Sequence, residues 1–192
     1  MLNNKGVEAT IKRDALKTLN EMVSHQETKD IMISESVIEA AAPLLSDKNH
    51  EVRREAVSLI GSFANSERGR QRLSSAIKGM QQQLMDENAT VQEADAWALL
   101  RLSTSRDGCD LIATSKLATN MVVAFIRYTT PMFFKQELHK FFQYLLEAFV
   151  NITEYDNGIV PMLGTGTVAA LRDILLPSYK NDFGIYVQRV HE

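Results

Sequence analysis

Apolar residues recur along the chain at the spacing of one helical face, and the whole pattern returns after about forty residues. Three segments carry it, beginning at Ile11, Val52 and Val91, so the steps along the chain are 41 and 39 residues. Further apolar residues stand eight and eleven positions after each start, which predicts three equivalent helices with one buried face each. These further residues are Leu19, Ile60 and Leu99, then Met22, Phe63 and Leu102.

The segments between these helices repeat as well. Gly69 and Gly108 stand at the same place after the second and third helices, where the first copy has Thr28. A second apolar helix follows in each copy. Asp47 and Asp86 each precede the next valine by five residues, where a short polar turn could cap the following helix.

A fourth copy is longer than the others. Asn151 matches Arg101 after a step of 50 residues, so about ten residues are inserted, and 133–153 is predicted to be one long helix. A shorter helix over 167–176 is predicted to stop at Pro177. The aromatic residues of the long helix exceed what one face can hold, so they either form an exposed partner surface or enlarge the core, and we favour the core. They are Phe133, Phe134, Phe141, Phe142, Tyr144 and Phe149.

Units of this kind cannot bury their apolar faces alone and must stack on their neighbours. We therefore predict an all-α fold, a single solenoid of about four repeats. Because the first and last units are partial, we expect the chain to be a fragment or to have its ends covered by partners. The approximate units are 1–25 (partial), 26–65, 66–104, 105–153 (with the extended helix) and 154–192 (partial).

Composition and charge argue against several classes of function. With 21 basic and 24 acidic residues the net charge is −3, which argues against a surface that follows nucleic-acid phosphates. The single cysteine, Cys109, cannot form an intrachain disulfide and fits a reducing compartment. No apolar run predicts a secretory signal or a membrane span, and the histidines lack metal-ligand spacing. We expect no enzyme activity, cofactor, metal or small-molecule substrate.

The segment Val91–Ile112, which reads VQEADAWALLRLSTSRDGCDLI, resembles the armadillo repeat, and the resemblance covers roughly residues 8–176. It implies a right-handed α-α superhelix, with the third helix of each repeat lining a concave groove that binds proteins. Residues 14–53, 64–75 and 104–126 are similar to armadillo-repeat proteins of the ciliary radial spoke. That likeness implies a structural role in the axoneme of motile cilia, with several other subunits as partners. Nothing in composition or periodicity indicates cilia.

The resemblance implies a polar stripe along the groove. Trp97 and Arg101 lie one helical turn apart and would project together, and both residue types commonly anchor interfaces. The stripe could bind a peptide or partner helix, or it could be a solvated face with Trp97 packed locally. Nuclear-import adaptors of this superfamily use repeated Trp and Asn for basic signals, and that pattern is largely missing here. The predicted stripe is Arg13, Lys17, Glu21, Arg54, Ser58, Ser62, Glu93, Trp97, Arg101, Glu147 and Asn151.

A cluster of arginines follows the second helix of the repeat series. Arg68, Arg70 and Arg72, together with Lys78, could meet an acidic partner such as a tubulin-like surface, although such a run is more often simply solvated. The sequence therefore predicts a non-catalytic protein-binding scaffold in the cytoplasm or cytoskeleton, structural in a cilium. The alternative is a soluble adaptor that binds a peptide or helix in transport or signalling.

Overall fold

A computed structural model of the chain describes residues 4–129, 138–155 and 166–174. Short 3-10 segments at Ala42–Ser46 and Leu73–Ser75 continue or link the helices, and no strand occurs among the described residues. The helices in chain order are α1 (Asn4–Met22), α2 (Gln26–Ser34), α3 (Val37–Ala41), α4 (His50–Phe63), α5 (Glu67–Arg72), α6 (Ile77–Gln83), α7 (Ala89–Ser103), α8 (Arg106–Thr114), α9 (Leu117–Thr129), α10 (His139–Thr153) and α11 (Thr167–Ile174).

The long helices α1, α4, α7 and α10 stack in series, each packed most extensively on the next. Between successive long helices the chain runs through a pair of shorter ones, α2–α3, α5–α6 and α8–α9. The predicted all-α superhelix of stacked repeats is confirmed. The long helix predicted over 133–153 is described from His139 to Thr153, and 130–137 lie outside the described residues.

The apolar face predicted for the three equivalent helices is buried in α4 and α7 but only partly in α1. Ile11 is 64% exposed and Met22 is 45% exposed, so the prediction of a buried face is wrong at these two positions. The reason is packing: α4 and α7 are enclosed between two long helices, whereas α1 packs mainly on α4. The equivalent residues that are buried are Val52, Ile60, Phe63, Val91, Leu99 and Leu102.

The recurring glycine lies in the first helical turn after α4 and in the first helical turn after α7. The hydroxyl of Ser66 accepts a hydrogen bond from Gly69 N at 3.1 Å, and Ser105 accepts one from Gly108 N at 3.2 Å. Each serine thus caps the short helix that follows. A β-carbon at Gly69 or Gly108 would lie only 2.2 or 1.8 Å from a backbone carbonyl oxygen at the end of the preceding long helix. Only glycine fits this close approach.

The second polar turn also has a repeated structure. A carboxylate oxygen of Asp47 accepts from Asn49 N at 2.9 Å, and Asp86 accepts from Asn88 N at the same distance. The asparagines, rather than the aspartates, then cap α4 and α7 by accepting from a backbone N–H two residues later. The turn predicted to cap the next helix is therefore present. In each copy the aspartate binds the backbone of the asparagine and the asparagine caps the helix, which the spacing did not reveal.

The phenylalanines of α10 enlarge the core, as favoured, whereas Tyr144 is half-buried. Phe125 of α9 makes edge-on ring contacts with Phe142 and Phe149 at centroid distances of 5.7 and 5.5 Å. Phe141 is fully buried against Tyr128, at 5.8 Å. The first two aromatics of the prediction, at 133 and 134, lie outside the described residues.

A buried ion pair and a buried carboxyl group without hydrogen-bond partners lie in the interior near α7. Arg53 forms a bidentate ion pair with Asp86, at 2.7 and 2.8 Å, and its guanidinium also donates to the Asp47 carbonyl at 2.9 Å. Asp95 is fully buried, and neither of its carboxylate oxygens has a hydrogen-bond partner among the described residues. Burial, and secondarily the charge of Asp86, raises the pKa of Asp95 well above 3.8.

Within the described ranges, no single helix combines the length and apolar character needed to cross a bilayer. Only α8 and α9 taken together reach that threshold, by length and composition alone, and they meet at a bend of 76°.

Candidate functional site

An open groove of about 530 Å³ runs across the long helices. Residues of α1, α4, α7 and α10 all contribute to it, so the groove exists only because the repeats stack in register. Its walls are mixed, with hydroxyl and charged groups beside two aromatic rings. The lining residues are Asn20, Arg54, Glu55, Ser58, Ser62, Thr90, Glu93, Ala94, Trp97 and Tyr144.

The predicted stripe divides between the groove and its surroundings. The groove contains Arg54, Ser58, Ser62, Glu93 and Trp97. These residues come from the two central helices, α4 and α7. The rest of the stripe lies on α1, α7 and α10 outside the groove lining, and consists of Arg13, Lys17, Glu21, Arg101, Glu147 and Asn151.

Several of these outer residues connect helices. Arg13 donates to the Glu51 carboxylate at 3.0 Å, and this bond lowers the pKa of Glu51. Asn151 of α10 donates to the Ser103 hydroxyl of α7 at 3.1 Å. Glu147 accepts from the glutamine one turn earlier on α10. Arg13 and Asn151 therefore tie neighbouring repeats together.

Sequence reasoning missed the groove residues on either side of the stripe. Asn20 of α1 donates to both the backbone carbonyl and the carboxylate of Glu55, each at 3.1 Å. Such residues lie at the seam between two helices rather than on the i, i+4 row that spacing selects. Tyr144 was noticed only as one of several aromatics. The positions equivalent to Asn20 in the next two copies are Gly61 and Leu100, so the repeat pattern contains no signal that marks it.

Trp97 is held by its neighbours on both sides. The Arg101 guanidinium lies 5.4 Å from the centre of the indole ring, within cation–π distance. A β-carbon at Gly61 of α4 would lie 2.8 Å from the Trp97 ring and 2.7 Å from the β-carbon of Ala98. Gly61 therefore lets α4 and α7 approach closely beside Trp97. The indole is half-buried, so it packs locally and still presents surface to the groove.

The acidic groups of the groove have internal partners. The Glu55 carboxylate contacts Arg54, and the Glu93 carboxylate lies 3.6 Å from Lys140 of α10. These pairs place charge of both signs on the groove walls. The lining is therefore polar without being strongly acidic.

The predicted arginine cluster is divided between contacts with different units. Arg72 lies 2.7 Å from a carboxylate oxygen of α3, and Arg68 lies 3.6 Å from one of α2. Arg70 donates instead to a carbonyl at the end of α4, at 3.2 Å. Lys78 of α6 is exposed. The arginines thus serve contacts between repeats and do not present a single basic patch.

Cys109 is a packing residue. It is 1% exposed, and its thiol donates to the Ser103 carbonyl at 3.1 Å. Burial, with smaller contributions from the charges of Asp110 and Glu154, raises its pKa to about 11. The thiol is therefore protonated at neutral pH, when a nucleophile would need the thiolate. In the part of the chain that the structure describes, no three His, Cys, Asp or Glu side chains are grouped to hold a metal ion.

Solved structures share this architecture. An engineered protein from the Northeast Structural Genomics Consortium superposes with a TM-score of 0.76 over 94% of this chain and 72% of its own, at 16% identity. A designed armadillo repeat protein gives 0.71 at 18% identity, over 86% and 68% of the two chains. Another, in complex with peptide (KR)4, gives 0.71 at 20% identity, over 84% and 66%. The fold is armadillo-like. No family model and no curated protein matches the sequence.

Proposed function

We propose that the chain is a protein-binding scaffold that holds an extended segment of a partner protein along the groove between α1, α4, α7 and α10. The observation that carries this proposal is the groove itself. Successive repeats contribute to one continuous surface, and a half-buried tryptophan lies at its floor beside an arginine. A designed protein of the same fold is in complex with a peptide, which supports the proposal.

The groove chemistry suits a peptide chain. Ser58, Ser62 and Thr90 place hydroxyl oxygens on the groove walls, where they can accept hydrogen bonds from a partner backbone. The hydroxyls of Ser62 and Thr90 donate within the chain, to the Ser58 carbonyl and to the Asn88 side chain. Trp97 and Tyr144 offer rigid apolar surface with polar edges, the combination that is enriched in the centres of interfaces. A small number of such anchors carries most of the binding energy in protein complexes.

Peptide display on the purified chain tests the proposal. Trp97→Ala should weaken the selected peptides at least about tenfold, a loss of about 1.4 kcal/mol, as measured by titration calorimetry. Val123→Ala is the matched control, since it removes an apolar side chain that is 47% exposed on α9, outside the groove lining. Equal binding to wild type and Trp97→Ala would show that the groove is not the binding site.

We also propose a more specific role for the chain, as a structural subunit of a radial spoke in the axoneme of motile cilia. Its support is the likeness of residues 14–53, 64–75 and 104–126 to armadillo-repeat proteins of that assembly, and it stays a prediction. We expect a tagged chain in cells with motile cilia to remain with the axoneme after detergent extraction. A uniform cytosolic distribution would count against this role and favour a soluble adaptor in transport or signalling.

A further inference from the structure

We propose that α1 is a docking surface for an amphipathic helix of a partner protein, which packs on it as α1 itself packs on α4. The surface is a row of exposed residues along one face of α1, and none of them lines the groove. The two surfaces are therefore independent, and the scaffold meets proteins at both.

Four residues of α1 form this row, because they follow one another at steps of four, three and four. All four are exposed, and the two large apolar ones, Ile11 and Met22, are 64% and 45% exposed. The equivalent residues of α4 and of α7 are all fully buried. The row is Ile11, Ala15, Thr18 and Met22, and its equivalents in α4 are Val52, Ala56, Leu59 and Phe63. Positions that are interior in two repeats are thus open to solvent in the first.

In the two central repeats, the preceding long helix packs against this row. A β-carbon at Gly61 of α4 would lie 2.7 Å from the β-carbon of Ala98, which is the third member of the row in α7. On α4 the position beside the row is Glu55, which accepts two hydrogen bonds from Asn20 of α1, each at 3.1 Å. Because the long helices of this stack pack on one another, the occupant that fits the row of α1 is also a long helix.

The first short helix carries an exposed apolar residue with the same kind of equivalence. Ile31 of α2 is 61% exposed. At the equivalent position of α5, Arg72 reaches back to the preceding repeat and donates to the Glu39 carboxylate at 2.7 Å and to the Ile33 carbonyl at 3.1 Å. Ile31 and the row on α1 therefore occupy positions that, in the next copy, contact the repeat before.

The row on α1 also keeps most of the chemistry of the row on α4. Isoleucine, alanine and methionine stand where α4 has valine, alanine and phenylalanine, and Asp14 stands beside them where α4 has Glu55. The Asp14 carboxylate pairs with Arg13 of its own helix at 2.9 Å, but its side chain is still 58% exposed. The partner helix should therefore present an apolar stripe to the row and a hydrogen-bond donor to Asp14, as Asn20 does to Glu55.

A second copy of the chain fits this row less well. In an antiparallel pair of α1 helices, the same flank of both helices would meet. That flank carries Asp14 and Glu21, each three residues after a member of the row. Like charges brought together oppose such a pair, so the charge pattern favours a different protein as the occupant.

A bridged peptide copy of residues 4–23 is a defined probe, because α1 already packs one of its faces on a row of this kind. In the peptide, Ile11→Lys and Ala15→Asp are joined by a lactam bridge that holds the helix, which would otherwise be marginal in water. Met22→Gln removes the remaining large apolar residue of the peptide's own row. We expect the labelled peptide to bind the chain saturably, as measured by fluorescence anisotropy.

Variants of the chain locate the bound peptide. Ile11→Asp and Met22→Asp each place a charge in the row and should weaken binding at least about tenfold. Val150→Asp makes the same kind of change on α10, at a residue that is 61% exposed, and should leave binding unchanged. All three positions are exposed, and the melting temperature checks that each variant stays folded. A peptide with Asn20→Asp, which faces Asp14 with a second carboxylate, should bind several-fold more weakly than the parent peptide.

The outcomes also distinguish the possible occupants. A lack of saturable binding, undiminished binding by Ile11→Asp and Met22→Asp, or an equal loss in Val150→Asp would each overturn the docking surface. We expect the chain alone to sediment as a monomer. Self-association that Ile11→Asp abolishes would mean that a second copy, and not a partner helix, occupies the row. None of these results bears on the groove, since the changed residues of the chain lie outside its lining.

Discussion

Helices α4 and α7 occupy the same place in successive repeats and share their apolar rows, yet they differ at several other positions in the packed interior. At three pairs of positions related by a step of 39 residues, the two side chains are chemically unlike. The stack therefore tolerates different chemistry at one position, provided that each helix finds its own way to contact its neighbours. The differing pairs are Arg53 and Gln92, Ala56 and Asp95, and Gly61 and Leu100.

The first pair shows one task performed by two kinds of bond. Arg53 reaches the following repeat through its ion pair with Asp86. Gln92 reaches the following repeat through a hydrogen bond from its amide to the Tyr128 hydroxyl, at 2.7 Å. Both side chains are largely buried, so each bond is made away from water, where the loss of a partner is costly. At this position of the long helix, a polar side chain binds a residue of the following repeat. The type of bond depends on that residue, which is a carboxylate for Arg53 and a tyrosine hydroxyl for Gln92.

The largest expected effect is that of Arg53→Gln, which gives α4 the residue of α7. The variant leaves Asp86, whose side chain is 7% exposed, without its cation, and should lower the free energy of unfolding by about 3 kcal/mol or more. Urea denaturation measures it. Arg13→Gln, which removes a more exposed pair with Glu51, should have a much smaller effect, because solvent screens an exposed ion pair. Similar losses in the two variants would contradict this account of the buried pair.

Gly61→Ala comes next, because an added methyl group would meet Ala98 and the Trp97 ring at less than 3 Å. We expect a net loss of about 1–3 kcal/mol despite the better helix propensity of alanine, and a shift of the Trp97 emission maximum. Adding Ala98→Gly makes room and should recover part of the stability, relative to the sum of the two single changes. Strict additivity would show that the contact between α4 and α7 at Gly61 is not tight.

Asp95→Ala gives α7 the residue of α4 and should stabilise the protein, by about 1–3 kcal/mol at neutral pH, because it removes a buried carboxyl without partners. The pKa of Asp95 is raised in the folded state, so the unfolded chain loses its proton first. The cost to stability is therefore absent below about pH 3.8 and grows as the pH rises towards the raised value.

Denaturation of wild type and Asp95→Ala as a function of pH tests the sign of this effect. The difference between them should shrink as the pH falls towards 3.8. Asp95→Asn removes the charge but keeps unpaired polar atoms, so it should gain less than alanine. A constant difference at every pH would mean that the Asp95 carboxyl is not the cause.

The smallest effect concerns the residue that precedes the second short helix of each repeat. Lys116 has a left-handed backbone with φ of 66°, whereas Ala76 at the equivalent place has φ of −93°. Lys116→Gly should raise the unfolding free energy by about 0.5–1 kcal/mol, since glycine adopts positive φ without strain. Ala76→Gly should lower it. If both changes have the same sign, the backbone difference between the copies does not determine stability here.

The sequence by itself determined the repeat, the helical character and the turns between helices. These properties are local: an apolar row at helical spacing, a serine three residues before a glycine and an aspartate before a cap act within one or two turns of the chain. The buried rows of α4 and α7 and the tight turns at Gly69 and Gly108 follow from them. All four long helices could therefore be aligned without coordinates, and the resemblance to the armadillo repeat then implied a groove stripe.

Only the tertiary structure decided which residues of that stripe meet in the groove, since that depends on how far each helix is enclosed by its neighbours. Ile11 and Met22 repeat the apolar pattern but remain exposed, because α1 packs mainly on one long helix. The contact of Gly61 with Trp97 and the hydrogen bond from Asn151 to Ser103 join residues far apart in the chain. Periodicity selects a face of a helix, whereas the partner that meets this face is set by packing between helices.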